Sequence, residues 1–291
     1  MLEELEQARK KALKKQLTCF GICIVGAILL FPLLSFTAIG LIIPGIIVAS
    51  LISHKDIAEF EKMYKQNIVV AALKEICTDV TFDYERGISR ELIASTNMMN
   101  MGDTFYSNDY ITGKYKNINF ELSDVEIQEE TTDSDGDTHT YTLFKGQWYI
   151  FDFNKEFKAN IKIKGKGFTN SNVIVLFAKK EDKLKKVELE DTEFNKLYKV
   201  YAQNELDAFY ILTPNMMTKI KEVGEKIHGK LLFCFIDNRL HIAVHNNKDL
   251  FEASIYKKVN IEEAKQKTQE EISAITDFVN ILSLDNDLFK K

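Results

Sequence analysis

Proline, glycine and cysteine are scarce in this chain. Three prolines and 13 glycines in 291 residues disfavour long disordered linkers. The four cysteines form no CxxC pair and no Cys/His cluster, so no zinc site is implied and free thiols in a reducing compartment are expected. The formal net charge of -5 argues against non-specific binding of nucleic acid, which needs a basic face.

The usual catalytic motifs are also missing. The sequence contains no P-loop, no GxGxxG after a strand, no GxSxG and no HExxH. We therefore expect a protein that is not an enzyme and has no cofactor. A catalytic pocket assembled from distant residues remains the alternative, because a site need not be contiguous in sequence.

Two patterns that resemble metal sites are incomplete. Asp133, Asp135 and Asp137 alternate like the start of an EF-hand loop, but glycine occupies the fourth position and Phe144 the twelfth. His241 and His245 lie on one face of a predicted strand, with no carboxylate or cysteine beside them. We predict no metal site, and we interpret the acidic stretch as a solvated hairpin tip.

Charge is absent from one long stretch, Leu17 to Ile52, which is rich in Leu, Ile, Val, Ala and Phe. A single helix of that length would be on the order of 50 Å long, whereas a bilayer core is about 30 Å thick. The stretch therefore predicts two membrane passes, with a turn at 32–37, where a proline and two small polar residues occur.

Basic residues flank this stretch on both sides. Lys10, Lys11, Lys14 and Lys15 precede it, and His54, Lys55, Lys62 and Lys65 follow it. The positive-inside rule then places both flanks in the cytoplasm, which suits a two-helix hairpin and not a single pass. We expect a multi-pass protein of the cell membrane with cytoplasmic N- and C-termini. A secretory signal is disfavoured because the apolar run is too long.

The remaining sequence predicts an α+β fold, in which a mixed cytoplasmic domain with a mainly antiparallel sheet and flanking helices follows the hairpin. The predicted ranges are a basic helix at 1–16, the transmembrane hairpin at 17–52, a membrane-proximal helical segment at 53–108 and the α+β domain at 109–291.

Helical periodicity or capping residues predict helices at 55–78, 89–95, 204–211, 213–229 and 261–284. Apolar alternation predicts strands at 110–115, 117–127, 138–153, 157–164, 172–177, 185–189, 231–236 and 240–245, with a bulge near 123–124.

Five lysines make one predicted strand region locally basic. They are Lys162, Lys164, Lys166, Lys179 and Lys180. A domain tethered to the membrane would hold such a region near anionic head groups, so we predict contact with lipid or a protein partner there. The alternative is that these lysines lie on solvated strand faces and loops.

Several motifs resemble one family. These are the paired apolar helices, LFKGQW at 143–148 with Asp152-Phe153, VYA at 200–202, ILTP at 211–214, FCFIDN at 233–238 and Phe251-Glu252. The arrangement is similar to bacterial membrane proteins grouped as domain of unknown function 3137 (DUF3137), over nearly the whole chain after the first helix. The resemblance implies a bacterial membrane protein and no catalytic residue.

Two functions of different class follow from these observations. The first is a membrane-anchored cytoplasmic binding or scaffold protein that binds a protein partner or lipid head groups. The second is a membrane-tethered hydrolase or small-molecule sensor with an unrecognised pocket. A deep cleft with convergent polar groups would favour the second.

Overall fold

The computed structural model of the chain describes residues 1–34, 42–152, 160–168 and 184–284. The chain divides into two compact units. The helical unit comprises Met1–Ala72 and Phe251–Gln269, and the sheet unit comprises Leu73–Leu250 and Glu270–Lys291. This division differs from the four predicted ranges. Residues 251–269, predicted to lie in the α+β domain, belong to the helical unit, and residues 73–108, predicted to be a separate helical segment, belong to the sheet unit.

Two long helices dominate the helical unit, α1 (Leu2–Leu34) and α2 (Ile42–Tyr64). A π-helical turn at Lys65–Val69 and helix α3 (Val70–Ile76) follow α2. Ion pairs join the charged ends of the two long helices: the Lys15 Nζ lies 2.5 Å from the Asp56 Oδ2, and the Lys11 Nζ lies 2.9 Å from the Asp56 Oδ1.

Among the described residues, one helix is long and apolar enough to cross a membrane, Leu2–Leu29. The predicted two-pass hairpin is therefore not shown. Helix α1 continues through Pro32 to Leu34, and the rest of the predicted turn lies outside the described residues.

The segment at 251–260 packs along α1 within the helical unit. The Arg9 Nη1 donates to the carbonyl of Ile255 at 2.6 Å, and the Tyr256 hydroxyl donates to the Gln16 Oε1 at 2.8 Å. Ile255 is buried in this arrangement. Contacts of very large sequence separation thus place this segment beside α1.

The sheet unit is built on nine described strands, all paired antiparallel. In chain order they are β1 (Thr78–Asp83), β2 (Thr104–Tyr115), β3 (Ile118–Thr132), β4 (Thr138–Asp152), β5 (Ile161–Gly165), β6 (Lys185–Val187), β7 (Tyr198–Ala202), β8 (Lys230–Ile236) and β9 (Arg239–His245). Their order across the sheet is β1-β2-β3-β4-β9-β8-β5-β7-β6. The prediction of an α+β unit with a mainly antiparallel sheet is confirmed.

Helices α4 (Arg90–Ser95), α5 (Thr192–Leu197), α6 (Glu205–Ile211) and α7 (Pro214–Lys226) connect the strands, and α8 (Ile261–Leu282) follows them. Three predicted N-caps are present. The side chains of Ser89, Asn204 and Thr213 accept hydrogen bonds from backbone N–H groups in the first turns of α4, α6 and α7.

The predicted hairpin at Asp237-Asn238 is also confirmed. Both residues have positive φ, +50° and +57°, as a type I′ turn requires between β8 and β9. A bulge occurs at the predicted place in the sheet, but its extra residue is on β2 and not on β3, where the sequence predicts it. Asp109 adopts φ +56° there, where the β2–β3 register shifts against Asp124.

Strand β4 lies at the centre of the core. On one face Trp148 is fully buried in an apolar cluster with Val125, Met98 and Ala243. On the other face Tyr149 contacts Phe278 of α8, with ring centroids 5.0 Å apart. The second half of α8 therefore docks on the sheet, as its apolar stripe predicts.

Some elements differ from prediction. Strand β1 lies in the range predicted to be helical, and β7 and α5 were not predicted. Of the strand predicted at 157–164, the described part is β5, which begins at Ile161. Residues 153–159 and the whole strand predicted at 172–177 lie outside the described residues.

Replacing Phe278 by alanine should destabilise the sheet unit by about 3–5 kcal/mol, because it leaves a cavity against β4. Trp148 is the one tryptophan of the chain. Its fluorescence during urea unfolding of the full chain in detergent micelles therefore reports on this core. Phe209→Ala is the matched control, since Phe209 is 43% exposed. Equal effects of the two substitutions would contradict the docking of α8.

Candidate functional basic groove

A groove of about 390 Å³ lies where β5 and β7 meet at one end of the sheet. Its lining residues are Lys164, Gly165, Lys166, Gly167, Phe168, Lys196, Leu197, Tyr198 and Lys199. Four of them are lysines, and we call this feature the basic groove.

Local geometry fixes both walls of the basic groove. Strand β5 ends at Gly165, which pairs with Tyr198 of β7. The following turn reverses at Gly167, whose φ of +97° favours glycine, and the Lys166 N–H donates to the carbonyl of Leu197 at 2.9 Å. Asp191 caps α5, which carries Lys196 into the opposite wall.

The groove brings like charges together. Lys164 and Lys199 are directly opposed partners in the β5–β7 ladder. Burial, and then the charge of Lys199, lower the pKa of Lys164. Within the described part of the chain, no carboxylate forms an ion pair with Lys164, Lys166, Lys196 or Lys199.

An anion bound in the groove would offset this repulsion. Lysine ammonium groups bind anions as compact point charges with three donors each. Leu197, 43% exposed, and the mostly buried Phe168 add an apolar floor. The arrangement suits a ligand that has an anionic group and a small apolar part.

The five lysines predicted to contact lipid or a partner differ in their exposure to solvent. Lys162 is fully buried, and its Nζ donates to the carbonyl of Asn97 at 3.2 Å. Burial thus removes Lys162 from the predicted set of lipid or partner contacts. Lys164 is also mostly buried and lines the groove, and its contact with lipid or a partner stays a prediction. Lys166 is exposed, while Lys179 and Lys180 lie outside the described residues.

Lys196 and Lys199 were missed by sequence reasoning. The signal was present at 198–202, where Tyr198, Val200 and Ala202 alternate as a half-buried strand does. Recognising β7 would have placed Lys199 on the sheet. Its pairing with Lys164 depends on strand order, which the sequence does not reveal.

A second polar cluster surrounds Asp124 inside the sheet unit. The Gln147 Nε2 donates to the Asp124 Oδ1 at 2.9 Å, and the Leu250 N–H donates to the Oδ2 at 2.7 Å. Burial raises the pKa of Asp124 to about 7. Asn246 in turn donates to Gln147, so this network joins the 246–250 segment to the sheet and has a structural role.

The two strand histidines are also structural. The His241 Nδ1 accepts a hydrogen bond from the Trp148 Nε1 at 3.2 Å, and burial lowers the pKa of His241 to about 4. The His245 Nδ1 lies 3.1 Å from the Lys145 N. The described residues contain no group of three or more His, Cys, Asp or Glu able to hold a metal ion. At the acidic hairpin tip, Asp133 accepts from backbone N–H groups of its own turn.

The sequence model of the family described as protein of unknown function DUF3137 matches residues 142–284. Over these residues the chain is a member of the DUF3137 family. The match contains the motifs from Leu143 to Glu252 and every lining residue of the basic groove. It is narrower than the coverage we expected, and the family description assigns no activity.

No curated protein matches the chain. Among solved structures, the crystal structure of the mycobacterial trehalose monomycolate transport factor A, TtfA, is similar at 10% sequence identity and a TM-score of 0.40. The alignment covers 76% of this chain and 95% of that chain. A likeness this low assigns no function.

Asp124 and His241, two buried titratable groups of the sheet unit, predict opposite pH dependences. Asp124 has a raised pKa in the folded state, so its contribution to stability is complete below pH about 4 and is lost as the pH rises towards 7. Each pH unit in that window corresponds to about 1.4 kcal/mol. The advantage of the native chain over Asp124→Asn should therefore fall across this window in urea unfolding followed by Trp148 fluorescence.

His241→Gln is the matched comparison, since glutamine keeps an acceptor for Trp148. The pKa of His241 is lowered, so its contribution is complete above pH about 6.5 and is lost as the pH falls towards 4. The advantage of the native chain over this variant should rise with pH between 4 and 6.5. The same slope for both variants would contradict the assignment of Asp124.

Proposed function

We propose that this chain is a membrane-anchored cytoplasmic binding protein, and that the basic groove binds an anionic group of its partner. The partner group is a lipid head group or an acidic segment of a protein. The observation that carries this proposal is the convergence of four lysines without carboxylate partners among the described residues, in a chain whose net charge is -5.

The surface of the two long helices supports a membrane anchor. Large aliphatic side chains of α1 and α2 are exposed, namely Leu17, Ile22, Ile24, Val25, Ile28, Leu29, Ile46, Ile47, Val48, Leu51 and Ile52. A core helix of a soluble protein would bury such side chains, whereas lipid covers them in a membrane.

Ion pairs between α1 and α2 support the two-pass arrangement. Lys15 and Asp56 lie next to the two ends of the uncharged stretch, and their contact aligns these ends. Lys11 adds contacts to Asp56 and Glu59, and these lysines lower the pKa of Asp56. A hairpin whose charged ends meet at one membrane surface satisfies the positive-inside rule with both flanks in the cytoplasm.

Binding is favoured over catalysis by the groove lining. The groove is partly enclosed, and its lining side chains are cationic, aromatic or aliphatic. Neither a carboxylate, a histidine nor a cysteine is among its described lining residues, so the acid–base pair that a hydrolase uses is not among them. A hydrolase or sensor would need a different pocket.

Cysteine labelling in intact cells tests the topology. Single reporters at Ser134 and, in a separate variant, at Glu3 would be placed in a background without Cys19, Cys23, Cys77 and Cys234. Ser134 lies at the exposed tip between β3 and β4. We expect neither site to react with an impermeant maleimide until the cells are opened. Labelling of Ser134 from outside would overturn the cytoplasmic location.

Charge reversal tests the groove. The pair Lys166→Glu and Lys196→Glu should weaken binding of an oligoglutamate peptide to the full chain in micelles by about tenfold or more, since each lost charged contact contributes about 1.5–3 kcal/mol. Lys74→Glu with Lys248→Glu makes the same net change on exposed residues away from the groove. Equal weakening by both pairs would mean that only net charge matters.

A further inference from the structure

We propose that the ligand of the basic groove is a phosphate monoester, whose phosphate lies between Lys164 and Lys199. This inference rests on the proposed function, because it specifies the anion that the same groove binds. It assigns to the groove a chemical class of ligand and a defined pair of anion-contacting side chains.

The opposed lysines carry the argument. Side chains directly opposite in an antiparallel ladder have Cβ atoms about 4.5–5.5 Å apart, and like charges at such positions are destabilising. Lys164 is 8% exposed, so water screens its charge poorly. In the described part of the chain, neither Lys164 nor Lys199 has an ion-pair partner.

The charge of the ligand follows from this pair. A carboxylate carries a single negative charge and would leave one of the two ammonium groups uncompensated. A phosphate monoester carries about -1.5 to -2 at pH 7 and presents three acceptor oxygens. It can therefore accept hydrogen bonds from Lys164 and Lys199 together, with Lys166 and Lys196 on the two walls of the groove.

The surroundings of the pair favour an ester over free phosphate. Phe168 and Leu197 line the groove beside the lysines and give the organic part of a ligand an apolar contact. The Lys230 Nζ lies 5.8 Å from the centroid of the Phe168 ring, which brings a fifth cation to this end of the sheet. An ester with an aromatic or aliphatic group should bind more tightly than inorganic phosphate.

Calorimetric titration of the full chain in detergent micelles tests the class of ligand, with phenyl phosphate, inorganic phosphate and benzoate as probes. We expect phenyl phosphate to bind most tightly. Lys199→Met should weaken it by about tenfold or more, because a charge-assisted contact is lost. Lys199 is exposed, so this substitution leaves the core intact. Lys248→Met, on an exposed loop, is the charge-matched control and should bind like the native chain.

Two further probes identify the source of the phosphate. Glycerol 3-phosphate represents a soluble ester, and short-chain phosphatidic acid mixed into the micelles represents a lipid ester. Competition with phenyl phosphate by glycerol 3-phosphate supports a soluble ligand. Competition by phosphatidic acid alone supports a lipid head group with its acyl region on the apolar floor.

The outcomes separate this inference from the proposed function. Benzoate binding as tightly as phenyl phosphate, or equal losses in Lys199→Met and Lys248→Met, would overturn the phosphate assignment. If oligoglutamate still binds in a groove-dependent way, the anion-binding function stands without it. If no anionic probe binds, both proposals fail.

Discussion

The burial of β4 on both faces is the constraint on which the sheet unit depends. Trp148 on one face and Tyr149 on the other are each excluded from water, so this strand needs two separate covering layers. The apolar cluster that includes Met98 covers the first face and Phe278 of α8 covers the second. Since β3 and β9 pair with the two edges of β4, the strand order on both sides is built outwards from it.

The difference between local and long-range contacts also explains which parts of the fold can be predicted from the sequence. Turns and caps depend on local chemistry, and the positive φ of Asp237 and Asn238 and the cap at Thr213 agree with residue type. Strand β1 is different, because none of its six side chains is fully buried. Edge strands pair through the backbone, and their side chains need not alternate, so local periodicity carries little signal for them.

The candidate site was only partly predictable for a related reason. A run of lysines in β5 is visible in the sequence, but exposure depends on which elements cover each strand face. Lys162 and Lys164 are two residues apart on the same face, yet Lys162 lies under Asn97 while Lys164 reaches the groove. The decisive neighbour, Lys199, lies 35 positions after Lys164, on a strand that pairs with β5 only in the folded sheet.

Two buried charged groups of the same sheet differ in how their charge is compensated. Asp124 lies near other carboxylates, but Gln147 and the Leu250 N–H satisfy its oxygens, so its burial is compensated inside the fold. Lys164 is also buried beside a like charge, and no compensating carboxylate accompanies it in the described residues. Chains usually resolve such conflicts internally, and departures concentrate at sites where a ligand completes the interaction. The uncompensated pair is therefore the feature on which the proposed anion binding rests.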